Sequence, residues 1–281
     1  MIATIDYHVT SDCTQECPYC WGPQITENVC DTATATAIVR KISSTGAKRI
    51  VFTGGDPLKR EDIGVLVRLA KQEGLEVALS TTGDRLTYGF LRGYGKWIDL
   101  ISIPVDGSTE KVSAKTKEAG HLSAVLAAFD ILGQFPKIDV KAATPVTRHN
   151  LHDVPAIIAL LERIASKMKN RFFYNVFQTF PRSITSREWD ELVVSDTEFK
   201  ALRDQIDVDS VYFTINWLTH ETLDRLYVMV FPDGTLTVPT GGEYRSYGPF
   251  LDVRDLDALL IETKFDAEKH QRHARGWKKE A

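Results

Sequence analysis

Apolar positions in this chain alternate between two rhythms. Residues 3 to 10, Ala-Thr-Ile-Asp-Tyr-His-Val-Thr, carry the β-branched and aromatic side chains of a strand. Asp31 or Thr32 can then cap a helix through Ala37, Ile38, Val39 and Ile42, which stops near Gly46. A second strand, 48–53, ends in Gly54-Gly55-Asp56-Pro57; a second helix, 61–73, carries Ile63, Val65, Leu66 and Leu69 and ends at Gly74. The rhythm continues with strands predicted over 76–82, 99–105, 139–146 and 171–180, and helices over 123–132 and 153–166.

Each strand-plus-helix unit takes roughly 25 to 40 residues, too long for hairpins and suited to parallel crossovers. Six units predict an α/β fold, a partial (β/α)6 TIM-like barrel, left open because nothing in the pattern supplies a seventh and eighth strand. After Pro181 the pattern changes. Residues 189–199 are mixed and acidic, 211–215 and 226–231 look like strands, and Pro232-Asp233-Gly234 reads as a hairpin turn into 236–238. The predicted organisation is a barrel core over 1–182 and a small C-terminal α/β appendage over 183–281 that closes the barrel. Gly241-Gly242 and Gly248-Pro249 mark loops.

Ligands of such sheets bind at the carboxyl ends of the strands. Four polar features are predicted to share that rim: the cysteine loop after the first strand, the Gly-Gly-Asp turn, Ser80-Thr81-Thr82, and Asp106.

A length of 281 residues with 43% apolar residues suffices for a substantial core. There is no apolar run long enough for a membrane span and no recognisable leader, so the expected location is a reducing cytoplasm. A formal charge of -4 argues against general affinity for nucleic acid. The basic tail of Lys269, His270, Arg272, His273, Arg275, Lys278 and Lys279 reads as a solvated helix end, with a phosphate or partner contact as the alternative.

The chemistry concentrates in Cys13-Thr-Gln-Glu-Cys17-Pro-Tyr-Cys20. Three thiols cannot all pair with one another, but they can converge on metal. One reading is structural zinc with Cys30 or His8 as fourth ligand, against which stands the absence of a second Cys or His pair. The other is an iron–sulfur cluster with one iron left open to an exogenous ligand. Cys-x-x-x-Cys-x-x-Cys with an aromatic residue just before the last cysteine resembles the signature of the radical S-adenosylmethionine (SAM) superfamily. That resemblance implies that Cys13, Cys17 and Cys20 hold a [4Fe-4S] cluster and that SAM binds its open iron. Reductive cleavage of SAM then gives a 5'-deoxyadenosyl radical that abstracts hydrogen from a substrate. An electron donor of flavodoxin or ferredoxin type is implied as partner.

The resemblance extends to individual positions. Gly54-Gly55-Asp56-Pro57 is similar to the family's Gly-Gly-Glu-Pro turn, whose backbone and acid hold the SAM amino group; Asp is one methylene shorter. Tyr19 is implied beside the adenine, and Val146 and Phe177 as its packing. Thr81, Thr82, Ser102 and Asp106 suit a ribose or the methionyl end, and Lys117 falls where relatives place a base for the SAM carboxylate. For each, strand-end capping or core packing is the ordinary alternative.

Asp6-Tyr-His8-Val-Thr-Ser-Asp-Cys13 resembles the Asn-x-His-x4-Cys opening of viperin-like proteins, and Tyr174-Asn-Val-Phe-Gln178, Val194–Phe199, Phe250–Val253 and Phe265-Asp266 resemble later segments of that family. That family acts on nucleoside triphosphates, gripped by basic residues on the fifth and sixth strands. Lys141 is retained, but the sixth strand reads Phe173-Tyr174-Asn175 and Asp6 replaces asparagine. A triphosphate carries about four negative charges, so the expected substrate is a neutral, less phosphorylated or zwitterionic small molecule, nucleotide-, nucleoside- or sugar-like. Asp6, His8, Lys141, Tyr174 and Asn175 are its candidate contacts. A strand-end histidine bonded to backbone is the alternative for His8. His149 and His152 read as loop and capping residues, and Cys30 as a spare thiol. A peptide-modifying radical enzyme remains a second class, although no peptide-recognition domain or C-terminal cysteine group is visible.

Overall fold

The computed structural model describes residues 2–20, 28–181, 189–207, 211–240 and 243–275. Six parallel strands form as the alternation predicts: β1 (Thr4–Thr10), β2 (Arg49–Gly54), β3 (Glu76–Ser80), β4 (Leu100–Pro104), β5 (Asp139–Val146) and β6 (Phe172–Gln178). Between them run α1 (Thr32–Ser44), α2 (Ile63–Gln72), α3 (Tyr88–Tyr94), the short α4 (Glu110–Ser113), α5 (His121–Leu132) and α6 (Val154–Ala165). Asp31 caps α1 by accepting from Thr34 N at 2.8 Å, and the stripe Ala35, Ile38, Val39 and Ile42 is buried. The 88–94 helix escapes the sequence reading because its glycines and aromatics carry no clear helical stripe. Its Tyr94 ring packs so tightly on α2 that a Cβ at Gly64 would lie 2.3 Å away.

The seventh and eighth parallel strands, which the apolar pattern did not supply, come from the C-terminal part of the chain. β7 (Thr214–Leu218) follows α7 (Asp196–Asp204) and pairs in parallel with β6. After the short α8 (His220–Leu223), β8 (Met229–Val230) pairs in parallel with β1 at the opposite edge. β9 (Thr235–Thr240) and β10 (Glu243–Pro249) extend that edge antiparallel, with Gly234 at φ +84° in the hairpin turn. The order is β10-β9-β8-β1-β2-β3-β4-β5-β6-β7, an α/β barrel that does not close. The proposed boundary at 182/183 and the Gly241-Gly242 loop lie outside the described residues.

Strand parity sorts side chains into two compartments. Ile5, Tyr7 and Val9 face the helices and join the main core, whereas Asp6 and His8 line the barrel interior. A separate small apolar group, Val51, Ala78, Leu100 and Phe173, packs on the interior face. Two more helices, α9 (Leu256–Glu262) and α10 (Ala267–Arg275), follow β10. The expectation of a solvated basic tail is corrected for α10. His270 is buried, its Nε2 accepting from the backbone N–H groups of Ala3 (2.9 Å) and Thr4 (3.1 Å) and its Nδ1 donating to Leu226 O (2.8 Å). Lys278 and Lys279 lie outside the described residues. No helix among those described is long and apolar enough to cross a membrane.

Candidate active site

The loop after β1 carries Cys13, Cys17 and Cys20 and is tied down from several elements. Gly55 N donates to Thr10 O (2.9 Å) and Asp56 N to Asp12 O (2.6 Å). Gln15 Nε2 donates to Asp84 (3.0 Å) while its Oε1 accepts from Glu118 N (3.0 Å). Tyr19 donates its hydroxyl to Asp106 Oδ2 at 2.5 Å, where Thr116 donates as well at 2.8 Å. The two glycines of the turn are required by this docking. A Cβ on Gly54, at φ +134°, would lie 2.3 Å from Thr10 O, and one on Gly55 2.1 Å from Asp12 O.

All three thiols line one cavity of about 250 Å³ at the carboxyl ends of the strands. Burial pushes the Cys13 thiol up to about 11 and raises that of Cys17, although Lys117 Nζ, 3.1 Å from Cys17 Sγ, pulls the latter down. Cys30 lies elsewhere, against the Gly234 turn, and donates its N–H to Pro232 O. No three His, Cys, Asp or Glu side chains among the described residues converge on a single-ion site. A tetrahedral zinc site needs four donors around one point, which this arrangement lacks. Three thiols lining one cavity suit a cluster whose irons are ligated separately, with the fourth iron left to a ligand in the cavity.

The sequence-predicted SAM contacts separate into two groups. Tyr19, Gly54, Gly55, Thr81, Thr82, Ser102, Lys117 and Phe177 line the thiol cavity. Lys117 also sits over the Tyr19 ring, 5.4 Å from its centroid; burial alone would lower its pKa, but Asp106 and Cys17 outweigh that and raise it. Three candidates lie off the cavity lining. Asp56 lies behind the rim, wholly buried, accepting from Thr81 Oγ1 (2.7 Å), Thr82 Oγ1 (2.9 Å) and Leu58 N (3.1 Å). The shorter acid therefore positions the two threonines that face the cavity. Asp106 likewise is 1% exposed and positions Tyr19 instead of lining the pocket. Val146 points into the helix-facing core.

A second chamber of about 280 Å³ continues from the first into the barrel and shares Tyr19, Cys20, Thr53, Gly54, Ser80, Ser102 and Phe177 with it. Asp6, His8, Lys141 and Asn175 line this chamber as the sequence predicts. Strand register arranges the polar wall: His8 stands opposite Thr53, Ser80 opposite Ser102, Ser102 opposite Lys141, and Asn175 opposite Asn216. Asn216 Nδ2 donates to Asn175 Oδ1 at 2.9 Å. Tyr174 is corrected: it faces the helices, fully buried, with its hydroxyl donating to Thr144 Oγ1 at 2.8 Å. At the amino ends of the strands the chamber is walled by Thr4, Arg49 and three residues of α10: His270, His273 and Ala274. The chamber residues Arg49, Thr53 and His273 were missed by sequence reasoning. Only the inward parity of Arg49 and Thr53 on the second strand could have signalled two of them.

Burial lowers the pKa of His8 to about 4, so the neutral imidazole is the folded-state form. A histidine held below its unfolded value of about 6.5 stabilises the fold above that pH and ceases to do so as pH falls toward the folded value. The His8 contribution, on the order of 3 kcal/mol, should therefore disappear between about pH 6.5 and pH 4. Urea unfolding across that window should show a stability decline that is shallower in a His8→Leu variant; parallel declines in both proteins would contradict this.

The model of the radical SAM superfamily matches residues 7–161, more than half of the chain. The protein belongs to the radical SAM superfamily. Its cofactors are accordingly a [4Fe-4S] cluster and SAM. Among characterised relatives, the chain is 25% identical over 282 residues to an S-adenosylmethionine-dependent nucleotide dehydratase of Lacinutrix mariniflava, covering 95% of this chain and 57% of the relative. It is 24% identical to the enzyme of the same name from Flammeovirga pacifica, covering 90% and 88%, and 25% identical to an Fe-coproporphyrin III synthase of Methanosarcina barkeri, covering 88% and 57%. This radical SAM chain thus spans little more than half of two of these three relatives. Its fold is that of native anSMEcpe with bound AdoMet (TM-score 0.69, 13% identity, 96% of this chain and 82% of that one). It is also that of Streptococcus suis SuiB bound to S-adenosylmethionine (TM-score 0.68, 10% identity, 97% and 68%).

Proposed function

We propose that this radical SAM enzyme abstracts hydrogen from a small polar molecule, nucleotide-, nucleoside- or sugar-like, held in the inner barrel chamber. The observation that carries this reading is the continuity of the two cavities: a polar chamber begins where the thiol-lined pocket ends, and both share Tyr19, Cys20, Ser102 and Phe177. Cys13, Cys17 and Cys20 hold the cluster, and the Gly54-Gly55 backbone, Thr81, Thr82, Ser102 and Lys117 frame SAM. When bound, these cofactors supply a 5'-deoxyadenosyl radical able to take hydrogen from an unactivated carbon. The chain supplies position and exclusion of water: residues 1–182 build the cofactor pocket, and 183–281 contribute the wall and floor through β8 and α10. An electron donor of flavodoxin or ferredoxin type delivers the reducing equivalent.

The similarity to two nucleotide dehydratases supports a nucleoside-like substrate, and the floor formed by α10 favours a small molecule over a peptide threaded through the barrel. The reading is tested by adding nucleosides, nucleotides, sugars and short peptides to the reduced holoenzyme and following 5'-deoxyadenosine. A small molecule should stimulate its formation at least about tenfold. Stimulation by peptides alone would refute the reading.

A further inference from the structure

The inner chamber carries charged side chains that SAM binding does not use. Arg49 and Lys141 are its cations among the described lining residues, and Asp6 is its acid. The Arg49 guanidinium is met by both carboxylate oxygens of Glu76, each at 2.9 Å. Asp6 and Lys141 line the same chamber, and the Asp6 carboxylate favours the charged form of Lys141 against the effect of burial. Burial lowers the pKa values of His8, His270 and His273, to about 4 for His8 and His273, so none of the three adds positive charge near neutrality. Among the chamber's uncharged side chains in the described residues, two buried polar atoms have no hydrogen-bond partner: Nδ1 of His8, whose residue is 8% exposed, and Nδ2 of Asn175, whose residue is 1% exposed. Buried polar atoms of this kind are costly unless a ligand satisfies them.

We propose that Asp6 is a specificity-determining residue: by cancelling the charge of Lys141, it makes the inner chamber a site for the uncharged, hydroxyl-bearing end of the substrate and excludes phosphate groups. A sugar hydroxyl both donates and accepts, which matches the unpartnered atoms of His8 and Asn175. A phosphate would enter a desolvated space in which Arg49 is already paired with Glu76 and Lys141 shares the chamber with Asp6, losing hydration without gaining an unmatched positive partner. Burial raises Asp6 to about 7 and lowers Lys141 to about 7. Near pH 7 their mean summed charge is therefore close to zero. The device is a repulsive element of the kind that sets specificity between otherwise similar ligands.

The inference rests on the inner chamber being the substrate site, and the test separates the two claims. Equilibrium binding of cytidine triphosphate and of cytidine is measured on the cluster- and SAM-loaded protein and on its Asp6→Asn variant, with visible absorbance as a check on cluster content. The near-isosteric variant should raise the ratio of triphosphate to cytidine affinity at least about tenfold over the parent, the scale of one added charge-assisted contact. An Asp6→Asn, Lys141→Met double variant should lose that gain. No gain in that ratio in Asp6→Asn, or a parent whose ratio is already as high, overturns the role of Asp6. An Asn175→Leu variant reports on the chamber itself. If it abolishes substrate-stimulated SAM cleavage while Asp6→Asn gains nothing, only the charge cancellation fails. If it leaves stimulation intact, the placement of substrate fails as well.

Discussion

Replacing Cys17 with alanine is expected to cut 5'-deoxyadenosine formation by more than about 100-fold, beyond the 10- to 100-fold typical of losing a side chain that only supports a metal ligand. Cys17 is the most buried of the three loop thiols, 7% exposed, and it alone has Lys117 Nζ at 3.1 Å. Removing it leaves two thiols for the cluster and takes from the partly buried Lys117 ammonium its sulfur partner. Iron content and the broad visible absorption of the reconstituted protein should fall together with SAM cleavage. Replacing Cys30 in the same way should change neither, because that thiol packs at the Gly234 turn. Equal losses in the two variants would contradict the assignment of the cluster to the loop.

The second large effect is expected at Gly55. The Cβ of a Gly55→Ala variant would stand 2.1 Å from Asp12 O, a backbone atom that no rotamer change can move aside. Relief requires the cysteine loop to lift from the turn, breaking the Asp56 N to Asp12 O bond of 2.6 Å. Such overpacking costs on the order of 3 kcal/mol, a large share of the roughly 5–15 kcal/mol that hold a domain together. A melting temperature roughly 10 °C lower, with poor cluster incorporation, is the expected result. Gly46→Ala is the contrasting control: Gly46 has a positive φ, +81°, which Gly55 lacks, but a methyl added there would meet nothing within 4 Å. It should cost only about 1 kcal/mol. Similar losses at both sites would show that the close approach at Gly55 does not decide the effect.

The parts of this molecule that are legible in the sequence are those that repeat. Six strands of five to eight residues, each followed by an apolar helical stripe or a glycine stop, impose their periods on the chain, and β5 runs over the same residues, 139–146, as the pattern predicts. Strands are legible near β7 and β8, over 211–215 and 226–231, but not their parallel place in the barrel: Thr214–Leu218 is only partly buried, and Met229–Val230 has two residues, too few to show a period. Direction is the other limit. The types Asp56 and Asp106 suit a ligand, but both carboxylates turn toward hydroxyl groups of the scaffold, a choice that depends on which loops pack above them. Tyr174 and Asn175 are adjacent on one strand and therefore cannot both face the chamber; the register gives that face to Asn175. His270 carries no signal at all, since its partners, Ala3, Thr4 and Leu226, lie far away in sequence.

A substrate carbon held in the chamber that opens from the thiol pocket must give up its hydrogen there, and hydrogen transfer out of that chamber tests this placement most directly. The reduced holoenzyme is incubated with SAM and each stimulating small molecule in perdeuterated form, and 5'-deoxyadenosine is analysed by mass spectrometry. The prediction is deuterium in the 5'-deoxyadenosine, lost in the Asn175→Leu variant. Undeuterated 5'-deoxyadenosine from every small molecule that stimulates its formation, or label transfer that Asn175→Leu leaves unchanged, would contradict it.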